Sequence, residues 1–230
     1  MTREEFAALI DHTILKPEAT RADVRRLCEE AIRYGFRVIF VPPCYAEEAC
    51  AQVAESPIRV GIPVGFPLGG HTTAVKVAEA LDGVKHGATV LDMVINVSRL
   101  KSGDHDAVRA DIAAVVEATP SAEHKVILET CYLTREEKLT ACRLVEEAGA
   151  DYVKTSTGFG PGGATVEDVR LMVGAVGGRL KIKASGGIRT KAAAVSMLEA
   201  GANRIGTSAG VGILEEWTTT GTRAAAAQAR

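Results

Sequence analysis

Apolar and polar positions alternate along this chain in two rhythms. Short β-branched, apolar runs occur at residues 12–15, 38–41, 60–66, 90–95, 125–128, 152–155, 180–183 and 204–207. Runs of that length and composition read as strands buried on both faces. Between most of them the spacing becomes helical. In residues 21–32, Val24, Leu27, Cys28, Ala31 and Ile32 share one face. In residues 134–145, Thr134 followed by Glu137 reads as the capping box of another amphipathic helix. Four units also stop alike, because Gly35, Gly87, Gly149 and Gly201 each follow an amphipathic stretch and precede a strand. A glycine there takes the left-handed conformation that ends a helix.

Eight strands alternating with helices imply a parallel α/β architecture. An open, doubly wound sheet competes with a closed TIM-type (β/α)8 barrel. Two points favour the barrel. The 230 residues divide into eight units of about 29, the compact end of the barrel range. No Gly-x-Gly-x-x-Gly follows the first strand, so the usual dinucleotide fingerprint is missing. With no linker or composition break, residues 1–230 are expected to form one barrel domain. The Ala-rich end is expected to fray over 218–230.

Composition then narrows the partners. Lys and Arg number 27 against 29 Asp and Glu, a net charge of -2. Such a balance gives no general attraction for nucleic acid or an anionic membrane. No apolar run approaches the ~18 residues of a membrane span, and the charged start, Met1 to Glu5, lacks a secretion signal's apolar core. The five cysteines, Cys28, Cys44, Cys50, Cys131 and Cys142, have no Cys-x-x-Cys spacing. Reduced thiols and a cytoplasmic location are expected. The five histidines form neither His-x-His nor His-Glu-x-x-His, so no metal and no cofactor are expected.

Three charged residues interrupt the strand runs: Asp92 in 90–95, Lys154 in 152–155, and Lys183 closing 180–183. Charged side chains seldom enter a core unless they are paired or functional. Lys154 and Lys183 lie 29 residues apart, one unit, and Asp92 and Lys154 lie 62 apart, about two units. Equivalent positions on strands four, six and seven would gather all three at one end of the barrel. A structural ion pair explains any one of them alone, but not three at matching offsets. A lysine attacks a carbonyl only as the neutral amine, and its ordinary pKa is about 10.4. A second ammonium at ~4 Å, at an effective dielectric of about 20, opposes protonation by around 4 kcal/mol, or roughly three pKa units. One lysine then becomes a Schiff-base nucleophile, the other stays the activating cation, and the carboxylate moves protons. The loops after strands seven and eight, with Gly186, Gly187 and Ser208, suit a phosphate, because late barrel loops offer backbone amides to anions.

Several longer stretches are similar to the signatures of the deoxyribose-phosphate aldolase family. They are Asp11-His-Thr-Ile-Leu15, Leu91-Asp-Met-Val-Ile-Asn96, Val153-Lys-Thr-Ser-Thr-Gly-Phe159 and Lys183-Ala-Ser-Gly-Gly-Ile188. Gly65-Phe-Pro-Leu-Gly69, Glu129-Thr130 and Gly162-Gly-Ala-Thr-Val166 extend the likeness over nearly the whole chain. The resemblance implies a class I, metal-independent aldolase of deoxynucleoside catabolism. It would reversibly cleave 2-deoxy-D-ribose 5-phosphate to glyceraldehyde 3-phosphate and acetaldehyde. By motif position Lys154 would form the Schiff base, Lys183 would perturb its pKa and donate protons, and Asp92 would relay them. Substrate and phosphate would fall to Thr155, Gly158, Gly186, Gly187, Gly206 and Ser208. The resemblance also implies a homodimer or homotetramer.

Two departures stand out. Similar proteins often read Val-Cys-Val-Asn-Pro on the second strand, where this chain has Ile39-Phe-Val-Pro-Pro43. Phe40 and Pro42 are expected to reshape the aldehyde side of the pocket or its sensitivity to aldehyde adducts. Some members also end in a tyrosine that folds over the site, whereas this chain ends Ala-Gln-Ala-Arg230. Other readings compete. A phosphosugar isomerase would use a Glu or His base and need no paired lysines; a transaldolase shares the fold. A phosphate-binding regulator without catalysis would not need Lys154, Lys183 and Asp92 together. His71, after Gly69-Gly70, is placed either on a loop entering the site or beside a helix start at Thr72. Cys131, after the fifth strand, is read as a packed or solvent-facing thiol, with a reactive thiol as the alternative.

Overall fold

The computed structural model describes residues 1–217. Its strands are β1 (Ile10–Thr13), β2 (Val38–Phe40), β3 (Arg59–Val64), β4 (Val90–Val94), β5 (Glu123–Ile127), β6 (Tyr152–Lys154), β7 (Lys181–Ser185) and β8 (Arg204–Thr207). They pair in parallel in chain order and close into a barrel. The closing seam sets Ile10, Asp11 and His12 of β1 against Ile205, Gly206 and Thr207 of β8. The expected (β/α)8 barrel is therefore the fold. Its helices are α1 (Arg3–Ala7), α2 (Arg21–Tyr34), α3 (Ala46–Val53), α4 (Thr73–Lys85), α5 (Val97–Lys101), α6 (His105–Ala118), α7 (Arg135–Glu147), α8 (Val166–Val176) and α9 (Lys191–Glu199). A last helix, α10, covers 210–217, where Trp217 stacks on Phe6 of α1 at 4.3 Å.

Local signals set most of these boundaries. Thr20 with Asp23, and Thr134 with Glu137, form reciprocal capping boxes that start α2 and α7. Gly35, Gly87, Gly149 and Gly201 all have positive φ, between 77° and 108°, and turn the chain back toward the next strand. The face of α2 is narrower than its spacing predicts. Val24, Leu27, Cys28 and Ala31 are buried, but Ile32 lies at the edge of the stripe and is exposed.

Two strands sit differently from their sequence reading. β1 begins at Ile10 rather than residue 12, because its charged second residue, Asp11, is fully buried and hides the strand's start from an apolar count. β7 runs on to Ser185, so Lys183 lies in the middle of its strand rather than closing it. The main core packs strand faces against helices, for example Ile39, Leu91, Val153 and Ile205 with Leu27, Ile112, Val145 and Met172. A separate small cluster, Val38, Phe40 and Val90, fills the barrel beside the charged residues. Among the described residues no helix is long and apolar enough to cross a membrane. The chain end, with its expected fraying and its missing tyrosine, lies outside the described residues.

Candidate active site

β6 and β7 pair so that Lys154 is directly opposite Lys183. Neighbouring strands thus deliver two inward lysines at one level, as the one-unit spacing predicts. Asp92 reaches them from β4, and its Oδ2 accepts from Lys154 Nζ at 2.5 Å and from Lys183 Nζ at 2.6 Å. The three sequence-predicted residues therefore meet on one carboxylate oxygen. Asp92 is 0% exposed and Lys183 1%. Gly206 makes room for Lys183, since a Cβ there would lie 2.9 Å from Lys183 Cε.

Sequence reasoning missed the rest of this cluster. Asp11 pairs with Lys183 Nζ at 2.6 Å through one oxygen and with Arg204 Nε at 2.6 Å through the other. Lys125 lies 3.9 Å from Asp92 Oδ1 and 2.6 Å from Glu123, which also pairs with Arg59. Asp11 stood within a quoted motif, but its partner Arg204 is 193 positions away. Only closure of the barrel joins them. Lys125 carried the same signal, being a lysine in a strand run 29 residues before Lys154, but it lies opposite Tyr152, two residues out of step with Lys154.

The electrostatics separate the lysines. Burial pushes Lys154 down; Asp92 opposes this, Lys183 adds to it, and the result is about 8. Sequence reasoning put repulsion by the second ammonium first, but desolvation is the larger cause. Burial also pushes Lys183 down, yet Asp11 and Asp92 outweigh it and hold Lys183 above the ordinary lysine range. Asp92 is held below the usual carboxylate range because Lys154, Lys183 and Lys125 together outweigh its burial. At neutral pH the arrangement keeps one ammonium fixed, one carboxylate ionised and one amine more readily neutral than an ordinary lysine.

Lys154 opens into a cavity of about 770 Å³ whose wall also includes Gly158, Gly186, Gly187, Gly206 and Ser208. Gly158, Gly186 and Gly187 have φ of 87°, 90° and 77°, conformations that a side chain would strain. Arg189 and Lys16 also line this cavity and add cationic side chains that the sequence reading had not assigned. Thr155 is placed elsewhere. Its buried hydroxyl donates to Ser185 O at 2.9 Å and accepts from Ser185 N at 3.0 Å, tying β6 to β7. Phe40 and Pro42 are likewise absent from the wall, so the expected change to the aldehyde side of the pocket does not arise by direct contact. Phe40 instead sets its ring 3.8 Å from Lys183 Nζ. His71 is exposed just before α4, and Thr72 occupies that helix's N-cap position without a side-chain capping bond. Cys131 is exposed. Among the described residues no group of three His, Cys, Asp or Glu side chains is placed to hold a metal ion.

Barrel and lysine pair together place the chain among lysine-dependent enzymes of carbon–carbon bond cleavage. It belongs to the DeoC/LacD family of aldolases, whose pattern matches residues 6–216. It is 56% identical over 215 residues to a deoxyribose-phosphate aldolase of Thermoanaerobacter sp., covering 92% of this chain and 96% of the relative. It is 54% identical over 219 residues to one from Thermococcus gammatolerans, covering 94% and 97%. Among solved structures, a tetrameric deoxyribose phosphate aldolase from Aeropyrum pernix superposes with a TM-score of 0.89 at 35% identity, covering 95% of this chain and 93% of that one.

Proposed function

We propose that the chain is a class I aldolase that reversibly cleaves 2-deoxy-D-ribose 5-phosphate to glyceraldehyde 3-phosphate and acetaldehyde. The observation that carries this reading is the sharing of Asp92 Oδ2 by Lys154 and Lys183, with Lys154 alone of the two on the cavity wall. Neutral Lys154 attacks C1 of the open-chain sugar, and loss of water gives an iminium. Asp92 Oδ2 accepts from both the Lys154 and the Lys183 nitrogens, so the carboxylate, backed by the Lys183 ammonium, supplies and takes up the protons of that dehydration. The iminium withdraws electrons from C2, the C3 hydroxyl loses its proton, and the C2–C3 bond breaks. Glyceraldehyde 3-phosphate leaves first. The enamine left on Lys154 takes a proton at C2, and hydrolysis frees acetaldehyde and the amine.

The phosphate end is assigned to the glycine turns at Gly158, Gly186 and Gly187 together with Gly206 and Ser208, which line the same cavity. Thr155 serves them indirectly through its bonds to Ser185. In this reading the chain is one cytoplasmic barrel domain that works in deoxynucleoside catabolism as a homodimer or homotetramer; the tetrameric Aeropyrum relative supports the assembly. Light scattering on the purified protein distinguishes the two states. The chemical test is borohydride reduction in the presence of acetaldehyde, followed by peptide mass spectrometry. The expected product is an ethyl adduct on Lys154. An unmodified Lys154 overturns the Schiff-base mechanism.

A further inference from the structure

At the end of β5 the backbone takes a turn that ordinary residues avoid. Glu129 is the one non-glycine among the described residues with positive φ, at 53°, and it is only 3% exposed. A carboxylate so buried is costly unless something uses its charge or its lone pairs. No ion pair joins it among the described residues. Its oxygens instead accept from the backbone N–H of Thr157 at 3.3 Å and from the Thr157 hydroxyl. The Cys131 thiol adds a longer contact at 3.8 Å.

Thr157 passes this hold onward. Its hydroxyl oxygen accepts from Phe159 N at 3.0 Å, which brackets Gly158 between two fixed neighbours. Thr157, Gly158 and Phe159 all line the cavity. The far side of the same loop is seated on the next glycine turn. Ala164 N donates to Gly186 O at 3.0 Å, and a Cβ on Gly163 would lie 2.3 Å from that same oxygen. Gly160 packs on Glu129 less tightly, where a Cβ would come 3.2 Å from Cδ. The loop is thus clamped between a strained glutamate on one flank and Gly186 on the other.

We propose that Glu129 is a positioning residue for the phosphate end of the substrate. Its carboxylate fixes Thr157, and through Thr157 it fixes Gly158 beside Gly186. This rests on the aldolase reading above, and it divides the site into two parts. The lysine cluster makes and breaks the covalent bond, while the Glu129 strap sets how well the phosphorylated end is held. Glu129 touches neither Lys154 Nζ nor Asp92, so the strap and the amine chemistry are separable.

The test uses the full chain with Glu129→Ala, Glu129→Gln and Glu129→Gly. The glycine variant relieves the left-handed backbone while removing the carboxylate, so it stays informative even if the alanine variant folds poorly. Steady-state kinetics are measured with 2-deoxyribose 5-phosphate and with unphosphorylated 2-deoxyribose, alongside inhibition by inorganic phosphate. Glu129→Ala and Glu129→Gly are expected to raise KM for the phosphorylated sugar about tenfold and to weaken phosphate inhibition to match, a change worth about 1.4 kcal/mol. The kcat and the activity on 2-deoxyribose stay within about twofold, and Glu129→Gln, which keeps one acceptor for Thr157, recovers most of the loss. Equal losses on both sugars, or an unchanged KM in the glycine variant, overturn the proposal. Acetaldehyde trapping separates the two hypotheses. A wild-type chain with no adduct on Lys154 defeats the aldolase reading itself, whereas normal trapping with unchanged phosphate discrimination defeats only the strap.

Discussion

Two parts of this molecule bury lysines completely, and they do so in opposite ways. Between α4 and α6, Lys76 is 0% exposed and pairs with Asp111 at 2.6 Å. Its remaining reach goes to Val94 O at 3.0 Å, and Asp111 takes a further bond from the Thr73 hydroxyl. One cation meets one carboxylate, and both are otherwise satisfied. Inside the barrel, Lys125, Lys154, Lys183 and Arg204 share Asp11, Asp92 and Glu123, and two ammonium groups compete for one Asp92 oxygen. Burial lowers the pKa of Lys76 just as it lowers that of Lys154. A depressed pKa therefore does not mark a reactive amine. Lys154 differs in having a shared counter-ion and a cavity to open into, and Lys76 has neither.

The sharpest way to break that comparison is to remove each lysine in turn. Lys154→Met leaves no amine on the cavity wall and is expected to lower kcat by roughly ten-thousandfold or more, with loss of the borohydride adduct. Substantial turnover in this variant would move the chemistry to another residue. Lys183→Leu comes next. It removes the ammonium that repels Lys154 and frees the Asp92 oxygen that the two lysines share. Lys154 then titrates above its wild-type value of about 8. Because the reactive form is the neutral amine, the acid limb of the rate profile shifts to higher pH, and activity at pH 7 falls by about a hundredfold or more. An unmoved limb would show that burial alone sets the Lys154 pKa.

Lys76→Met tests the other half. It strands a buried Asp111 carboxylate and is expected to destabilise the fold by roughly 3–5 kcal/mol, read as a lower urea midpoint. The double variant with Asp111→Leu should recover much of that loss, because an apolar pair can replace a buried ion pair. In both, the kcat of the folded fraction and the pH limb should stay as in wild type. A shifted limb would mean that the helix pair is coupled to the lysine cluster.

The same contrast explains what the sequence could show. Parallel strands covered on both faces read as apolar runs, and helix stops read as glycines, so the barrel was visible from local pattern. Lys154 and Lys183 were visible as charges inside apolar strand runs, and they lie opposite each other; their 29-residue spacing alone does not fix register, since Lys125 and Lys154 share it and sit two residues out of step. Asp11 and Arg204 were not, because the seam between the first and last strands joins residues that no local window contains. The Lys76–Asp111 pair was hidden for a related reason, since its partners are 35 positions apart on helices whose packing angle the pattern does not encode. Glu129 could be quoted as part of a motif, but its left-handed backbone and its grip on Thr157 depend on where the next strand's loop falls.

Phe40 offers the finest test of how the lysine cluster differs from an ordinary ion pair. Its ring centroid lies 3.8 Å from Lys183 Nζ and 5.6 Å from both Lys154 and Lys125, so one ring serves three cations. A ring so placed favours the charged forms by about 0.5–2 kcal/mol at the closest contact and by less farther out. Lys183 keeps its charge without the ring, since Asp11 and Asp92 both hold it. Lys154, already poised near neutrality, is the group that responds. Replacing Phe40 with pentafluorophenylalanine preserves the ring's shape and its exclusion of water but withdraws the negative face. The acid limb of the rate profile is then expected to move to lower pH by less than about half a unit, opposite in direction to Lys183→Leu. A shift of the same sign as Lys183→Leu would show that the fluorinated ring lets water reach Lys154. No shift at all would reduce Phe40 to a filler of the barrel core.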